Sequence, residues 1–432
     1  MGGLRVHLEG YRAIAKADIA LAELTVLTGV NASGKSTLAR LFHHTVETNR
    51  NFTTRATRVA LRQVAWKPIR AFIDFAGSGG IGWRQTRVLR DAFLDLRDGK
   101  VNINRLRETI DEIFALPEFC KIVSADSRIL DAFNRMAETT LQSVSEVHAF
   151  LSKCLDKAQT LIDAYLRREG DAQPFLVSCG QDKWLESQQL QVWDGETLIF
   201  DVRQPRRAVS EIYSPKRSIY IRQELGGFNF SFSVPTLTRE NNNPVLHFGG
   251  SDYLIEPSLV GASQTAMFAD GHFVAPPNQN TIGWGEWRYV RKDGATFQYP
   301  DCAEGIKALA PLQVLDSYGL LDSNTLLILD EPEVHLHPQW IVKCAESLVN
   351  LVAERRVRVL VASHSPYLIQ ALQRFAAQAL GKGQFRFYLA EEAEGVPFGY
   401  TYRNLGEKIG PIFKTFNVAL DQIASYDVSG EE

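Results

Sequence analysis

Eight residues limit what this chain can become. Gly29-Val30-Asn31-Ala32-Ser33-Gly34-Lys35-Ser36 fit the pattern G-x-x-x-x-G-K-[ST]. They follow the β-rich apolar run Leu24 to Leu27 and precede a stretch that predicts a helix from Lys35. In such a loop the glycines let backbone N–H groups turn inward around phosphates, and the helix N-terminus adds partial positive charge. Lys35 is then expected to reach the β- and γ-phosphates, with the Ser36 hydroxyl taking a place on Mg2+. A loop that needs a strand before it and a helix behind it predicts an α/β fold.

Two further segments fit the same chemistry. Leu326-Leu327-Ile328-Leu329 is an apolar run ending in Asp330 and Glu331. A buried strand that stops at two carboxylates places them at the carboxyl edge of a parallel sheet, beside the phosphate loop. Asp330 is the expected Mg2+ partner through water, and Glu331 the group that orients or deprotonates the attacking water. Val359 to Ala362 is another buried-strand pattern, followed by Ser363-His364-Ser365-Pro366. Taken alone, a histidine there reads as a capping or core residue.

Around these motifs the chain divides into four stretches. Residues 1–50 hold the first part of the nucleotide fold, with short strands from Leu4 to Thr28 and a turn near Glu9 to Arg12. Residues 51–175 read as a basic, helical insertion. Arg50 to Arg107 holds thirteen Lys/Arg against four Asp/Glu, with Trp66 and Trp83 among them. Such a stretch suits either a nucleic-acid backbone with base stacking or a solvated charged face over core aromatics. Leu106 to Leu166 carries helical periodicity, broken near Ser124 to Ser127. Residues 176–294 read as a β-rich segment, with alternation at Phe228, Phe230, Phe232 and Val234, a hairpin turn at Asp194-Gly195, and a surface loop or lid over Asn241 to Trp284. Residues 295–432 return to α/β order after an Asp293-Gly294 hairpin: a helix from about Glu304, a strand Thr325 to Leu329, a helix from Pro338 and a strand Val357 to Ala362.

Together these segments resemble the ABC-class P-loop ATPases, in particular the RecF-like and SMC-like branch that includes the OLD-type ATPases and those of the Septu and PARIS anti-phage systems. The resemblance lies in Glu9-Gly10-Tyr11-Arg12, in Leu24 through Thr37, and in Asp330-Glu331-Pro332-Glu333-Val334-His335-Leu336-His337-Pro338, which is similar to that branch's Walker B and D-loop. It implies a mixed-sheet ABC-ATPase fold interrupted by a helical and β-rich insertion, with ATP and Mg2+ as cofactors. It further implies that Gly29, Asn31, Ala32, Ser33, Gly34, Lys35, Ser36 and Thr37 hold the nucleotide, and that Arg12 lies beside it. By the same resemblance His364 is the switch histidine near the γ-phosphate, acting with Lys35 and Glu331, and the segment after Pro338 helps form a dimer seam. Gln63 and Gln85 are both candidates for the family's Gln loop.

One departure stands out. The family's signature segment falls at Ala303-Glu304-Gly305-Ile306-Lys307, where Gly305 matches the motif glycine but Glu304 replaces a serine. A carboxylate facing a γ-phosphate repels it unless protonated or bridged by a cation. The sequence therefore predicts slow or partner-dependent hydrolysis, or a role for Lys307 in offsetting the charge.

Composition narrows the remaining choices. The formal charge of -3 gives no global attraction to nucleic acid or anionic lipid. No run of eighteen apolar residues suggests a membrane span. The five cysteines form no CxxC pair and are expected to be reduced thiols of a cytoplasmic protein. The residues after His364 show no carboxylate cluster of a Toprim nuclease module. The resemblance implies a homodimer or higher homo-oligomer, and together with the missing module it implies control of a separate effector nuclease or toxin; Arg50 to Arg107 is the place where nucleic acid would bind.

Overall fold

The computed structural model describes residues 3–50, 52–78, 87–92, 103–117, 119–121, 127–137, 140–166, 188–203, 215, 217–222, 236–240, 243–248, 251–254, 271–274, 281–282 and 287–415. They fall into two compact units. The first comprises Met1–Glu47, Ser187–Ile199 and Glu211–Glu432; the second, Thr48–Glu186 and Phe200–Ser210.

In chain order the first unit begins with β1 (Leu4–Tyr11), β2 (Ile14–Ala20), β3 (Leu24–Thr28) and helix α1 (Lys35–Arg50). The helical unit interposes α2 (Phe52–Val64), α3 (Trp66–Ser78), α4 (Ile103–Phe114), α5 (Ser127–Ala137) and α6 (Val144–Leu166). There follow β4 (Gln189–Asp194), β5 (Thr197–Asp201), β6 (Arg217–Arg222), β7 (Thr236–Glu240), β8 (Asn243–Phe248), β9 (Ser251–Leu254), β10 (Gly271–Val274), β11 (Thr281–Ile282), β12 (Arg288–Arg291) and β13 (Thr296–Gln298). The chain then forms α7 (Glu304–Ser317), β14 (Thr325–Asp330), α8 (Pro338–Arg355), β15 (Arg358–Ser363), α9 (Pro366–Ala379), β16 (Phe385–Glu392) and β17 (Tyr400–Gly406).

The main sheet has ten strands in the order β5-β4-β1-β2-β17-β16-β3-β15-β14-β6. Its core, β16-β3-β15-β14-β6, is parallel throughout. Every residue of β3 and β14 is buried, as expected of strands covered on both faces. The other half is mixed: β1 runs antiparallel to β2 and β4, and β17 antiparallel to β16 but parallel to β2. Register matters more than order for function. Thr28 pairs with Ser363 and with Leu389, and Asp330 pairs with Ala362 and with Arg222. The carboxyl ends of these strands therefore share one sheet edge, and the phosphate loop, the two acids and the histidine loop all emerge there.

Local sequence sets the helices that leave this edge. In α8 the first residue is Pro338, and the capping His337 accepts from Gln339 N at 3.4 Å. In α9 the first residue is Pro366, and Ser365 caps by accepting from Leu368 N at 3.4 Å. Proline at the first position loses no helical hydrogen bond, since that N–H lies outside the ladder. The expected Asp293-Gly294 hairpin joins β12 to β13 with Gly294 at φ +87°, and the Asp194-Gly195 turn joins β4 to β5 with Gly195 at φ +58°.

Over Asn241 to Trp284, where a surface loop or lid is expected, the described residues form short strands. Strands β8, β9, β10 and β11 lie inside that range; β8 pairs with both β7 and β9 in a sheet of order β11-β7-β8-β9. Its strands are two to six residues long, too short for periodicity to show against the surrounding Gly, Pro and Asn. The strand expected at Phe228 to Val234 lies outside the described residues.

The helical unit has its own apolar core, in which Phe72 and Phe114 stack at 5.2 Å and Phe119 meets both edge-on. Trp66 packs against this core. Of the basic stretch, Arg70 pairs with Asp74 at 3.8 Å and Arg87 with Asp91 at 3.5 Å, each one helical turn apart. Arg107 reaches Asp156 at 2.6 Å. Trp83 and Gln85 lie outside the described residues, and Gln63 sits exposed on α2. Cys120, Cys154, Cys302 and Cys344 are free thiols. Among the described residues no helix is long and apolar enough to cross a membrane.

Candidate nucleotide site

The phosphate loop leaves β3 through Gly29 at φ +146°, passes Ala32 at +64°, and enters α1 through Gly34 at +97°. Two of these positions also lack room for a side chain. A Cβ on Gly29 would come within 2.7 Å of Ala390 Cβ, and one on Gly34 within 2.6 Å of Ile14 Cγ1. Glycine is thus required both for backbone conformation and for close packing. Tyr402 donates its hydroxyl to Ser33 O at 3.3 Å, bracing the loop from β17. Asn31 and Ala32 are exposed, and Thr37 is half-buried on α1.

Lys35 is 5% exposed. Its Nζ donates to Gly29 O at 2.9 Å and Val30 O at 3.0 Å, and lies 3.9 Å from Glu331 Oε1. Burial pulls the amine below the ordinary lysine value, while Glu331, Asp330 and Glu333 act the other way by favouring its charge. The ammonium is therefore held inside the ring of the loop by backbone carbonyls and carboxylates, where phosphate oxygens would compete for it.

Ser36 Oγ donates to Asp330 Oδ1 at 2.9 Å, and Tyr220 donates its hydroxyl to Asp330 Oδ2 at 2.6 Å. Burial and the neighbouring Asp330 charge raise the Tyr220 phenol well above its ordinary value, which keeps it a neutral donor. A serine hydroxyl beside a buried carboxylate is an all-oxygen donor set of the kind a hard cation such as Mg2+ takes. Ser33 Oγ, buried in the loop, is a further polar atom without a hydrogen-bond partner. The residues present fit a Mg2+–nucleotide complex.

Glu331 takes a left-handed backbone conformation, φ +55°, and its N–H donates to Ala362 O at 2.8 Å. The β14–β15 ladder thereby continues one residue past Asp330, and the strained turn frees the carboxylate to leave the strand. His364 Nδ1 comes within 2.5 Å of Glu331 Oε2, although that oxygen lacks the alignment of a hydrogen bond. Glu333 lies close by: its Oε1 accepts from Ser363 Oγ at 2.5 Å and from Ser365 N at 3.2 Å. Glu331, Glu333 and His364 offer ligand atoms within 4.8 Å of one another, but serine donors already use Glu333 Oε1.

Arg12 is exposed, at φ +52°, on the turn between β1 and β2. The contact of Gly34 with Ile14 and the bond from Tyr400 N to Ala13 O at 2.8 Å set this turn beside the phosphate loop. Glu304, Gly305 and Lys307 open α7, and a Cβ on Gly305 would meet His335 O and Leu336 Cδ2 at 3.5 and 3.6 Å. Lys307 Nζ binds Glu304 Oε1 at 2.9 Å. The signature-like segment thus packs on the turn after the paired acids, with its carboxylate already matched by a cation.

Sequence reasoning missed Tyr220 and left Glu333 without a role. Tyr220 lies on a strand whose parallel pairing with β14 no local pattern announces. Glu333 stood inside the recognised motif, and its signal, an acid destined for burial, appears only with the fold.

A phosphate loop on β3, paired acids ending β14 and a serine–histidine loop ending the strand between them define a P-loop ATPase domain of AAA/ABC-like build. The chain belongs to the family described as "AAA domain, putative AbiEii toxin, Type IV TA system", which matches residues 24–370. It is also 32% identical over 93 residues to the Old nuclease of Escherichia phage P2, a match spanning 22% of this chain and 14% of that protein. Among solved structures it is similar to the Smc head domain of Pyrococcus furiosus bound to the C-terminal domain of ScpA, at 9% identity and a TM-score of 0.36, covering 98% of this chain and 100% of the other. The Smc head domain of Pyrococcus yayanosii gives 9% identity and a TM-score of 0.29, covering 89% and 63%.

Proposed function

We propose that this protein binds MgATP and hydrolyses it between two copies of the chain in the cytoplasm, and that closure of this dimer regulates a separate effector, a nuclease or toxin, in anti-phage defence. The convergence of Lys35, Ser36, Asp330, Glu331 and His364 on one sheet edge carries the nucleotide reading. Backbone N–H groups of the loop and Lys35 hold the β- and γ-phosphates, and Arg12 meets the nucleotide from the neighbouring turn. Ser36 and, through water, Asp330 would hold Mg2+, which neutralises phosphate charge when bound. Glu331 orients the attacking water and accepts its proton, and His364, half exposed beside Glu331, faces the γ-phosphoryl group.

The Glu304 to Lys307 segment of a second copy completes the site. Its internal ion pair supports this arrangement, because a carboxylate neutralised by Lys307 approaches a phosphate at lower electrostatic cost. The family description, which speaks of a toxin and a toxin–antitoxin system, and the segment shared with the Old nuclease support a regulated effector.

Steady-state ATP hydrolysis by the purified chain and by Glu331→Gln, with solution masses recorded with and without MgATP, tests the enzyme. Turnover lost in the variant together with an ATP-held dimer is the expected result; binding without turnover in either form would replace it with a nucleotide-gated scaffold. Unchanged phage sensitivity on deletion, with no partner co-purifying, would remove the defence role.

A further inference from the structure

Glu333 has no part in the proposed reaction, yet its side chain is only 7% exposed and is built into the site. One oxygen, Oε1, takes two donors from the histidine loop, the Ser363 hydroxyl and the Ser365 N–H. These are the residues on either side of His364. Ser365 N also lies 3.0 Å from Ser363 Oγ, so the two serines and the carboxylate form one small network. Oε2 is buried with no hydrogen-bond partner, as is Oε2 of Glu331. Burial and the Glu331 charge raise the Glu333 carboxyl, and the Ser363 bond opposes them.

A carboxyl group kept this dry is costly unless its bonds fix something. Here they join two loops. Glu331 and Glu333 stand on the turn after β14, and His364 on the loop after β15. The backbone bond from Glu331 to Ala362 and the two bonds that Glu333 accepts join these loops. We infer that Glu333 is a positioning residue, which ties the loop carrying His364 to the turn carrying Glu331 so that imidazole and carboxylate keep one relative placement. The inference rests on the reading of Glu331 and His364 as the hydrolytic pair. It extends that reading by assigning their mutual geometry to a third acid that touches neither water nor phosphate.

The test joins two readouts on the full chain: the ring Cε1–H NMR resonance of His364 without nucleotide, assigned by comparison with His364→Asn, and steady-state ATP hydrolysis. Glu333→Ala is expected to shift or split the resonance and to lower kcat roughly 10- to 100-fold, the scale of a misplaced catalytic group, with KM changed less than about twofold. Glu333→Gln keeps the acceptor for Ser363 and a donor toward Glu331, and should restore the resonance and most of kcat. If Glu333→Ala fails to fold, Ser363→Ala should displace the same resonance. An unmoved His364 resonance in Glu333→Ala or, where that fails to fold, in Ser363→Ala overturns the inference, as does Glu333→Gln behaving like Glu333→Ala. The resonance reports even if the wild-type chain turns over no ATP, which separates failure of this inference from failure of the nucleotide reading.

Discussion

Ser36 Oγ and Asp330 Oδ1 lie 2.9 Å apart although 294 positions separate them in the chain. This bond joins the first turn of the helix behind the phosphate loop to the end of the acid strand, and it brings together the two groups assigned to Mg2+. Removing the hydroxyl with Ser36→Ala should weaken Mg2+-dependent nucleotide binding about tenfold, in line with the loss of one charge-assisted hydrogen bond. Binding measured in EDTA should change much less. Titration of a fluorescent ATP analogue with and without Mg2+ checks this; an equal loss in both conditions would mean that Ser36 acts on the loop and not on the metal.

Tyr220→Phe keeps the ring and deletes only the hydroxyl that donates to Asp330 Oδ2 at 2.6 Å. Because Asp330 is 1% exposed, the lost donor is not replaced by bulk water. We expect a stability loss of about 1–3 kcal/mol and weaker Mg2+ dependence of binding, read by urea unfolding and the same titration.

Glu333 predicts a pH dependence of stability. Burial raises its carboxyl from an ordinary 4.5 to about 7. Between these values the folded chain holds a proton that the unfolded chain has released, so stability falls as pH rises through that window. Glu333→Gln cannot titrate. Urea unfolding should find the variant gaining on the wild type from about pH 4.5 to about pH 7 and holding that advantage above it; parallel pH profiles would contradict the assignment.

The ion pair of Glu304 with Lys307, 2.9 Å long on the first turn of α7, gives opposite expectations for its two members. Glu304→Ser should raise ATP turnover several-fold by removing a negative charge from the γ-phosphate face of a second copy. Lys307→Ala should lower it by leaving that charge uncompensated. Steady-state hydrolysis at 50 and 300 mM salt checks both, since screening should shrink the Lys307→Ala effect. No change in either variant would place the segment away from the nucleotide.

What the sequence determined by itself was local and periodic. The apolar run before Gly29, the glycines and lysine of the loop, the helix from Lys35, the acid-ended strand Thr325–Asp330 and the helix starts at Glu304 and Pro338 lie where hydrophobic pattern and turn chemistry put them. Each is dictated within a few residues, by the conformations glycine and proline allow and by the burial that continuous apolar runs demand. Tertiary structure alone decided the rest. It brought β6 alongside β14, so that Tyr220 reaches Asp330, and it paired the short strands Asn243–Phe248 and Ser251–Leu254, which no local periodicity announced. It also buried Glu333 against Ser363 and Ser365. These relations depend on the register between segments far apart in the chain, and register is set by the closing of the whole sheet, which no short stretch of sequence encodes.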